Sequence, residues 1–431
     1  MDNALIAEKI LKIASFKGID VYRIDTDKFK TSSINIFFQD NLTRDSVTKN
    51  ALLPAVMRRG SEAYPTSRDI SLQLEKLYGA SFDCGVTKKG ERHIIQFYTE
   101  FLSQQYIPDG TDSFTAAFEM LYNIITRPAF EGGHFKEDYL LQEKEVLRML
   151  IKSRVNDKMQ YSVERCLEEV CKNEPYGIYD YGYVEDLEAI TQEKLANHYH
   201  EVLETYPIQV YLAGSISDKQ AEMVTEHLSN IPRKDVKALR NGYSKKQIAD
   251  AKHVTETMNI TQGKLCLGFR TNVAPESKDY QALMVYNGIL GGGIHSKLFQ
   301  NVREKASLAY YSYSRLDKFK GLMVISSGIE LKNRDKALEI ILKQLEEIKN
   351  GVISAQELEA TLKTMETGIK SLGDSQMNIV DFYLSQTVAG TDNDFNDVIE
   401  KIKKITPDEV MRIASGISLD TIYFLTAPEN K

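Results

Sequence analysis

Residues 287–314 have the sequence NGILGGGIHSKLFQNVREKASLAYYSYS, which contains the most specific pattern of the chain. Three glycines, Gly291, Gly292 and Gly293, precede the pattern SKLFQNVREKASL, which predicts a helix, and a hairpin with Gly321 at its turn follows. Glycines before a helix could bind an anion, but a phosphate loop needs Lys followed by Ser or Thr at a fixed spacing, which is absent. We therefore interpret the glycines as a tight turn between two helices, where side chains would clash.

The same order of elements occurs earlier in the chain. After Gly60 the pattern SRDISLQLEKLYG predicts a helix, and a hairpin with Gly90 at its turn leads into the strand HIIQFYTEF. The separation of Gly60 from Gly293 is nearly equal to the separation of Gly90 from Gly321. Two nearly equal offsets indicate an internal duplication.

A third matching pair lies near the end of each copy. Ile-Thr precedes a helix with an acidic first turn at both Thr191 and Thr406, and each helix runs into a strand. A threonine in this position is typical of a helix amino terminus. Thr191 and Thr406 are closer together than the members of the two glycine pairs, which indicates a deletion between the landmarks of the second copy.

The duplication predicts the fold class and the domain boundaries. Strands cluster with hairpin signals and the helices are long, so we expect an α+β fold of two homologous halves. Each half should contain a largely antiparallel sheet with helices packed on one face. Residues 231–252 are basic and poorly periodic, which is typical of an exposed linker. The predicted halves are therefore residues 1–230 and 253–431.

The composition limits the classes of function. The chain has 431 residues, of which 42% are hydrophobic, and a formal net charge of −7. No basic surplus is available for phosphate contacts, which argues against a nucleic-acid partner. Residues 1–16 have an amphipathic helical pattern with an acidic second residue rather than a signal peptide, and no apolar run is long enough to span a membrane. We expect a cytoplasmic protein with no membrane partner.

The glycine-rich stretch closely resembles the second-half signature of the pitrilysin/insulinase-like zinc metallopeptidases. The matching elements are Leu-Gly-Gly-Gly, Ser with a basic residue, Leu-Phe, Arg-Glu and Leu-Ala-Tyr, here at residues 290–293, 296–297, 298–299, 303–304 and 308–310. Together with the duplication, the resemblance covers essentially the whole chain. It implies that the two domains form a half-shell, that two such chains pair around a chamber, and that the substrate is a peptide.

The resemblance also implies a zinc motif in the first half, His-x-x-Glu-His, followed by a basic residue, Gly and Thr or Ser. Residues 59–61, Arg-Gly-Ser, match the end of this motif. Ala51 and Ala55 then stand at the positions of the zinc ligands, and Pro54 stands at that of the general base. A methyl group cannot bind zinc and a proline ring cannot accept a proton, so we expect no metal and no catalytic residue in this chain.

The family's distal zinc ligand belongs to a helix with the pattern Glu-basic-x-Val-Ile-x-Glu-Glu. The matching segment starts with Glu-Lys at residues 143–144, but Met and Leu stand at residues 149–150 in place of the paired acids. Histidines elsewhere provide no alternative, since His198 and His200 point in different directions on one predicted helix and the others lack a partner at ligand spacing. Zinc is therefore expected only in an active partner chain.

One functional pair of the family is retained. In the resembling peptidases an Arg and a Tyr seven residues apart bind the substrate backbone and help to stabilise the tetrahedral intermediate, and they correspond to Arg303 and Tyr310. Both side chains are donors that can face an oxyanion. In the structural alternative, Arg303 pairs with a carboxylate and Tyr310 packs at the start of a strand. The resemblance favours substrate binding in trans, at the site of a partner chain.

Three functional hypotheses follow. The first is a non-catalytic subunit of a zinc peptidase complex acting on peptides, paired with a homologous zinc-bearing chain or with a second copy of itself. The second is a peptide-binding or scaffold protein with no peptidase role. The third, an enzyme with rebuilt chemistry at Cys84, is the weakest because no His and acid stand at a recognisable spacing.

Overall fold

The protein has an α+β fold. The computed structural model describes residues 10–428. The strands in this range are β1 (Ile10–Phe16), β2 (Ile19–Asp25), β3 (Thr31–Asn41), β4 (Ser81–Lys89), β5 (Arg92–Leu102), β6 (Phe130–Glu131), β7 (His134–Phe135), β8 (Ile208–Gly214), β9 (Lys252–Thr257), β10 (Gly263–Arg270), β11 (Ala309–Asp317), β12 (Leu322–Ile329) and β13 (Ser418–Thr426).

The helices account for most of the remaining ordered chain. They are α1 (Val47–Met57), α2 (Ser67–Lys76), α3 (Ser113–Thr126), α4 (Glu137–Ser153), α5 (Lys158–Val170), α6 (Val184–Leu187), α7 (Gln192–Thr205), α8 (Asp218–Ser229), α9 (Tyr280–Gly291), α10 (Arg334–Lys349), α11 (Ala355–Leu372), α12 (Gln376–Ala389), α13 (Phe395–Lys403) and α14 (Pro407–Gly416), with a π-helix at Phe299–Lys305. Within the described range, none is long and apolar enough to cross a membrane.

The chain divides into two compact units. The first unit contains the described residues up to Ser153 together with Ile178–Asn241 and Ser375–Leu384, and the second contains Arg154–Gly177, Gly242–Asp374 and the described residues from Ser385 onward. The division differs from the predicted boundaries, because residues 154–177 belong to the second unit and residues 375–384 to the first. The predicted linker, residues 231–252, is split at Asn241, so its two parts belong to different units.

Each unit contains one large sheet, and the two sheets have the same topology. The first sheet has the order β1-β2-β8-β3-β5-β4, and the second has the order β11-β12-β10-β13-β9. In each sheet one pair of strands is parallel, β2 with β8 and β9 with β13, and the other pairs are antiparallel. Without β1, the first sheet reads β2-β8-β3-β5-β4, and the second sheet, read from its other end, is β9-β13-β10-β12-β11. The parallel pair stands first in both, so the strands correspond one to one. This correspondence confirms the predicted α+β fold of two similar halves.

The local signals that marked the duplication have the expected structures. Thr191 and Thr406 cap α7 and α14, with each side-chain oxygen accepting a backbone N–H three residues later. Gly90 and Gly321 lie in the turns of their hairpins with φ of +61° and +64°. Residues other than glycine rarely adopt a positive φ, because the Cβ atom clashes with the backbone, so the turn positions require glycine.

One prediction near the amino terminus is wrong. Residues 10–16 form strand β1 instead of an amphipathic helix, while residues 1–9 lie outside the described part of the chain. Lys17 and Gly18 have positive φ values and form a tight turn, after which β1 pairs antiparallel with β2. Pairing with a neighbouring strand therefore overrides the helical periodicity of this short segment.

In the second unit, helix α5 covers part of the sheet. It packs on β10, β12 and β13 through an apolar cluster that includes Val163, Cys166, Cys266 and Tyr423. A Cβ atom at Gly268 would lie 2.4 Å from Val170, so the close approach of α5 to β10 depends on glycine. This contact explains why residues 154–177 belong to the second unit.

Candidate functional site

The segment that matches the family's zinc motif lies on α1. Ala51 and Pro54 are buried and Ala55 is half-buried. Pro54 is the eighth residue of the helix, so the carbonyl of Asn50 lacks its usual N–H donor one turn later. The helix continues past the proline, since Arg58 N donates to Pro54 O at 3.0 Å. The segment is therefore helical, and its residues at the motif positions carry no zinc-binding side chain.

The thiol nearest to the motif is not a substitute ligand. Cys84 Sγ donates to Pro54 O at 3.2 Å. Burial raises the pKa of the Cys84 thiol to about 12, so the group remains protonated at neutral pH. A zinc ion can displace a thiol proton, but it needs further ligands, and among residues 10–428 no three or more His, Cys, Asp or Glu side chains are grouped to provide them. The same protonation argues against Cys84 as the nucleophile of a rebuilt enzyme.

The positions of the distal acids are apolar and exposed. Helix α4 packs against α1. Met149 is 62% exposed and Leu150 is 42% exposed, whereas Glu143, a buried charged residue of α4, pairs with Arg59 at 3.2 Å. Within residues 10–428, no cluster of three or more His, Cys, Asp or Glu side chains is placed to hold a metal ion. The residues at the motif therefore do not fit zinc.

The glycine-rich turn is tightly packed at its first residue. A Cβ atom at Gly291 would lie 2.3 Å from the backbone nitrogen of Ser314, and one at Gly292 would lie 2.7 Å from Gly288 Cα. At Gly293 the nearest atoms belong to the His295 side chain, at 3.2 Å. Close packing of α9 against β11 and within the turn thus explains the first two glycines without a bound anion.

Arg303 lies in the π-helix, on the solvent side. Its side chain is 43% exposed, its Nε lies 3.7 Å from the carboxylate of the adjacent Glu304, and its guanidinium stacks over Phe299 at 4.6 Å. The pairing with Glu304 is the carboxylate contact that the structural alternative expects, although both side chains are largely exposed. Short π-helical segments occur frequently at functional sites.

Tyr310 lies in a β-bulge. The pairing of β11 with β12 passes from Ala309 opposite Ile329 to Tyr311 opposite Gly328, which leaves Tyr310 as the extra residue. The side chain of Tyr310 is 64% exposed, so it is not packed at the strand start. Bulges near functional sites often redirect a side chain. The Arg and Tyr therefore both occupy local irregularities of the second unit and both face solvent.

A buried polar network in the first unit was missed by the sequence analysis. Asn50, next to Ala51 on α1, lies between two histidines: its Nδ2 is 3.2 Å from His93 Nδ1 and its Oδ1 is 2.7 Å from His198 Nε2. Tyr206 OH donates to Asp40 at 2.8 Å beside them. Burial lowers the pKa of His93 to about 4 and also lowers that of His198, so both rings are neutral at pH 7.

A signal for this network was present in the sequence. His198 stands three residues after Leu195 and four before Val202, on the buried stripe of α7. His93 is on a central strand where its neighbour β3 supplies Asp40 directly opposite. A histidine on an apolar stripe needs a hydrogen-bond partner in the interior. The partners themselves come from distant parts of the chain, which spacing along the sequence does not reveal.

The chain is similar in sequence to inactive members of a zinc metallopeptidase family. The family model "Peptidase M16 inactive domain" matches residues 189–365. Over 412 residues the chain is 35% identical to the "Probable inactive metalloprotease YmfF" of Bacillus subtilis (strain 168), an alignment covering 96% of each chain. It is 25% identical over 293 residues to the "Uncharacterized zinc protease YmxG" of the same organism, covering 66% of this chain and 69% of that protein.

A solved structure shows the same fold over nearly the whole length. The crystal structure of a conserved protein from Enterococcus faecalis V583 matches with a TM-score of 0.90 and 29% identity, over 98% of this chain and 99% of that one. The peptidase M16 inactive domain from Pseudomonas fluorescens has the same fold, with a TM-score of 0.79 and 18% identity over 99% of each chain. The chain belongs to the pitrilysin/insulinase-like (M16) peptidase family, as an inactive metalloprotease homologue.

Proposed function

We propose that this chain is the non-catalytic subunit of a heteromeric zinc peptidase that acts on peptides in the cytoplasm. The observation that carries the proposal is the contrast between its two sites. The zinc motif has lost every donor, while Arg303 and Tyr310 remain exposed at a π-helix and a β-bulge. A homologous zinc-bearing chain would supply the metal and the general base, and this chain would supply the Arg and the Tyr.

The chemistry of the pair suits this role. A guanidinium remains protonated at any physiological pH, and a phenol donates one hydrogen bond. Donors held in place before the reaction stabilise an oxyanion more than they stabilise the planar carbonyl from which it forms. Arg303 contacts Phe299 and Glu304 but stays partly exposed, and Tyr310 is exposed, so both donors are accessible to a substrate.

A second function, a peptide-binding or scaffold protein with no peptidase role, is favoured by a different observation. Among the described strands, β4 and β11 each end their sheet, and an edge strand can pair with an extended peptide. Such binding requires neither zinc nor the Arg and Tyr pair.

The test uses the full-length chain with a family member that retains His-x-x-Glu-His and is encoded in the same genome. Co-purification, zinc content and cleavage of an unstructured peptide are measured for each chain alone and for the mixture. We expect this chain alone to bind no stoichiometric zinc and to be inactive, and the mixture to be active with one zinc per heterodimer. In the mixture, Arg303→Ala and Tyr310→Phe should each reduce kcat by ~10²-fold or more, with pairing retained.

Matched controls separate catalysis from folding. Arg334, like Arg303, pairs with the next residue, Asp335, and stacks over an aromatic ring, so Arg334→Ala removes equivalent contacts elsewhere. Tyr106 is 41% exposed, so Tyr106→Phe removes a similar hydroxyl. If the Arg303 and Tyr310 variants keep full specific activity while melting early, the role in trans is refuted. Peptide binding by this chain alone, without activation of any partner, would instead establish the scaffold function.

A further inference from the structure

A pocket of the first unit lies beside the buried histidine network. Arg303 and Tyr310 belong to the second unit and do not line it. It has a volume of about 480 Å³ and lies between the start of α1, helix α6 and helix α7. The residues that line it are Arg44, Asp45, Thr48, Lys49, Glu185, Asp186, Ala189, Ile190, Lys194, Asn197, His198 and Glu201. We propose that this pocket binds a ligand through a primary ammonium group, held between His198 Nδ1 and the carboxylate of Glu201.

The network determines which nitrogen of His198 carries a proton. Asn50 Nδ2 points to the Asp40 carboxylate at 3.4 Å, and Ser46 and Tyr206 also donate to that carboxylate, at 2.8 Å each. Because a carboxylate only accepts, the amide nitrogen of Asn50 faces it and the amide oxygen faces His198. His198 Nε2 therefore donates its hydrogen to Asn50 Oδ1, at 2.7 Å.

The other nitrogen of the ring is then an acceptor. His198 is 3% exposed, and its burial favours the neutral ring. Its pKa is lowered, chiefly by desolvation; Lys49 also lowers the pKa, while Glu201 and Asp40 act in the opposite direction. A neutral ring with hydrogen on Nε2 has a lone pair on Nδ1. That buried Nδ1 makes no hydrogen bond of normal geometry with any described residue.

The lone pair faces a second acceptor. Glu201 Oε2 lies 3.5 Å from His198 Nδ1, and neither atom carries a hydrogen when the ring is neutral and the carboxylate is charged. A donor with two N–H groups satisfies both atoms, because an ammonium nitrogen can lie ~2.8 Å from each of them at once. Nδ1 is buried, and because the neighbouring Glu201 side chain is 44% exposed, a change of its rotamer can open a path to Nδ1.

The local charge also favours a cation. Asp40 and Glu201 contribute two negative charges and Lys237 contributes one positive charge, while Lys49 of the pocket wall is paired with Asp45, which leaves a surplus of one negative charge around two neutral rings. Lys237 shows that the site accepts an ammonium group, since its Nζ lies 2.7 Å from Glu201, 3.5 Å from Asp40 and 4.4 Å from the centre of the Tyr206 ring. A second ammonium on the opposite side of Glu201 would balance the charge.

The rest of the pocket suits a small molecule or the end of a peptide. Its volume is within the range of ligand sites in proteins. Ala189 and Ile190 form an apolar part of the wall. Two further cations of the lining already have partners: Arg44 pairs with Glu185 and Asp186. Lys194 donates to a backbone oxygen. The shared chemistry is the primary ammonium, which either a small amine or a peptide amino terminus can supply.

The test measures binding of three probes to the full-length protein by isothermal titration calorimetry: methylammonium, diglycine and N-acetyldiglycine. We expect diglycine to bind and its acetylated form to bind at least about tenfold more weakly, since acetylation removes the charge and two N–H donors. Binding of methylammonium as well would identify a general amine site, and binding of diglycine without it would identify a peptide terminus. Acidification should weaken binding only at a pH below the ordinary histidine range, when Nδ1 gains a proton.

A single variant tests the geometry without depending on loss of fold. Glu201→Gln removes the negative charge and places an amide N–H next to His198 Nδ1, so we expect diglycine affinity to fall by about tenfold or more. Glu193→Gln, in the first turn of the same helix and outside the pocket lining, should change nothing. Nitrogen-15 spectra of labelled histidine should show diglycine shifting the Nδ1 signal of His198. Equal binding of acetylated and free diglycine, unchanged affinity in Glu201→Gln, or no binding at all would overturn the proposal.

Discussion

The charged cluster around Glu174 offers the sharpest test of how the second unit is stabilised. Glu174 follows α5, and its side chain is only 8% exposed. Its carboxylate accepts from Arg270 at 2.6 Å, from Lys246 at 2.5 Å and from Lys320 at 2.7 Å. Arg270 is also buried and pairs with Asp420 at 3.2 Å. We predict that Glu174→Gln destabilises the second unit by about 3 kcal/mol at pH 7.

The loss of about 3 kcal/mol in the free energy of unfolding follows both from the burial of the ion pairs and from the pKa of Glu174. Removing one partner from a buried ion pair typically costs ~3–5 kcal/mol, because the remaining charges lose their counter-ion. Independently, desolvation is the largest single influence on the pKa of Glu174 and raises it, but the three cations together outweigh desolvation and lower the pKa from 4.5 to about 2. That difference corresponds to about 3 kcal/mol at ~1.36 kcal/mol per pKa unit. Since the folded pKa is depressed, this stability is present above pH 4.5 and is lost as the pH falls towards 2.

The assay is urea denaturation of the wild type and Glu174→Gln at a series of pH values from 7 down to 3. The stability difference should be largest at pH 7 and should shrink steadily below pH 4.5, since glutamine does not titrate. The control is Glu346→Gln, because Glu346 is 62% exposed and forms a surface pair with Lys349. It should cost less than about 1 kcal/mol. If both variants lost the same free energy of unfolding, the buried cluster would contribute no more than a surface pair. If the difference between wild type and Glu174→Gln were the same at pH 7 and pH 3, the ionised carboxylate of Glu174 would not be its source.

Two backbone features, the glycine-rich turn and the proline in α1, can be tested by thermal denaturation of three variants. Gly291→Ala should destabilise by ~1–3 kcal/mol because the new methyl group would lie 2.3 Å from the backbone nitrogen of Ser314, whereas Gly293→Ala meets only a movable side chain and should be tolerated; similar losses in both would contradict the close-packing explanation. Pro54→Ala should stabilise by about 2 kcal/mol, since it restores the N–H donor for the Asn50 carbonyl and loses only the proline's restriction of the unfolded chain. A lower melting temperature for this variant would show that the helix is already adapted to the proline.

Much of the fold could be predicted from local sequence signals. The threonine caps at Thr191 and Thr406 and the hairpin glycines Gly90 and Gly321 appear in the structure where the sequence placed them. Each of these features depends on residues only a few positions apart. Strand β1 was mispredicted because a strand is stabilised by its neighbour in the sheet, and the helical pattern of its own residues gave no sign of that neighbour.

The candidate site was predictable in part. The positions of Ala51, Pro54 and Ala55 on one helix follow from the motif, and their chemistry follows from the residue types. The exposure of Arg303 and Tyr310 could not be predicted from the motif. A π-helix and a β-bulge are local irregularities that arise from packing against neighbouring elements. Whether the pair acts in trans stays a prediction.

The duplication, the α+β class and the lack of zinc donors at the motif could be read from the amino-acid sequence, because periodicity, turn chemistry and side-chain donor atoms are properties of short segments. The packing of α5 on the second sheet and the contact of Asn50 with two buried histidines appear only in the folded chain. His93 and His198 lie on a strand and a helix that are far apart in the chain. They share one amide because burial makes an unpaired polar group costly, and the interior supplies partners by proximity in space rather than along the chain.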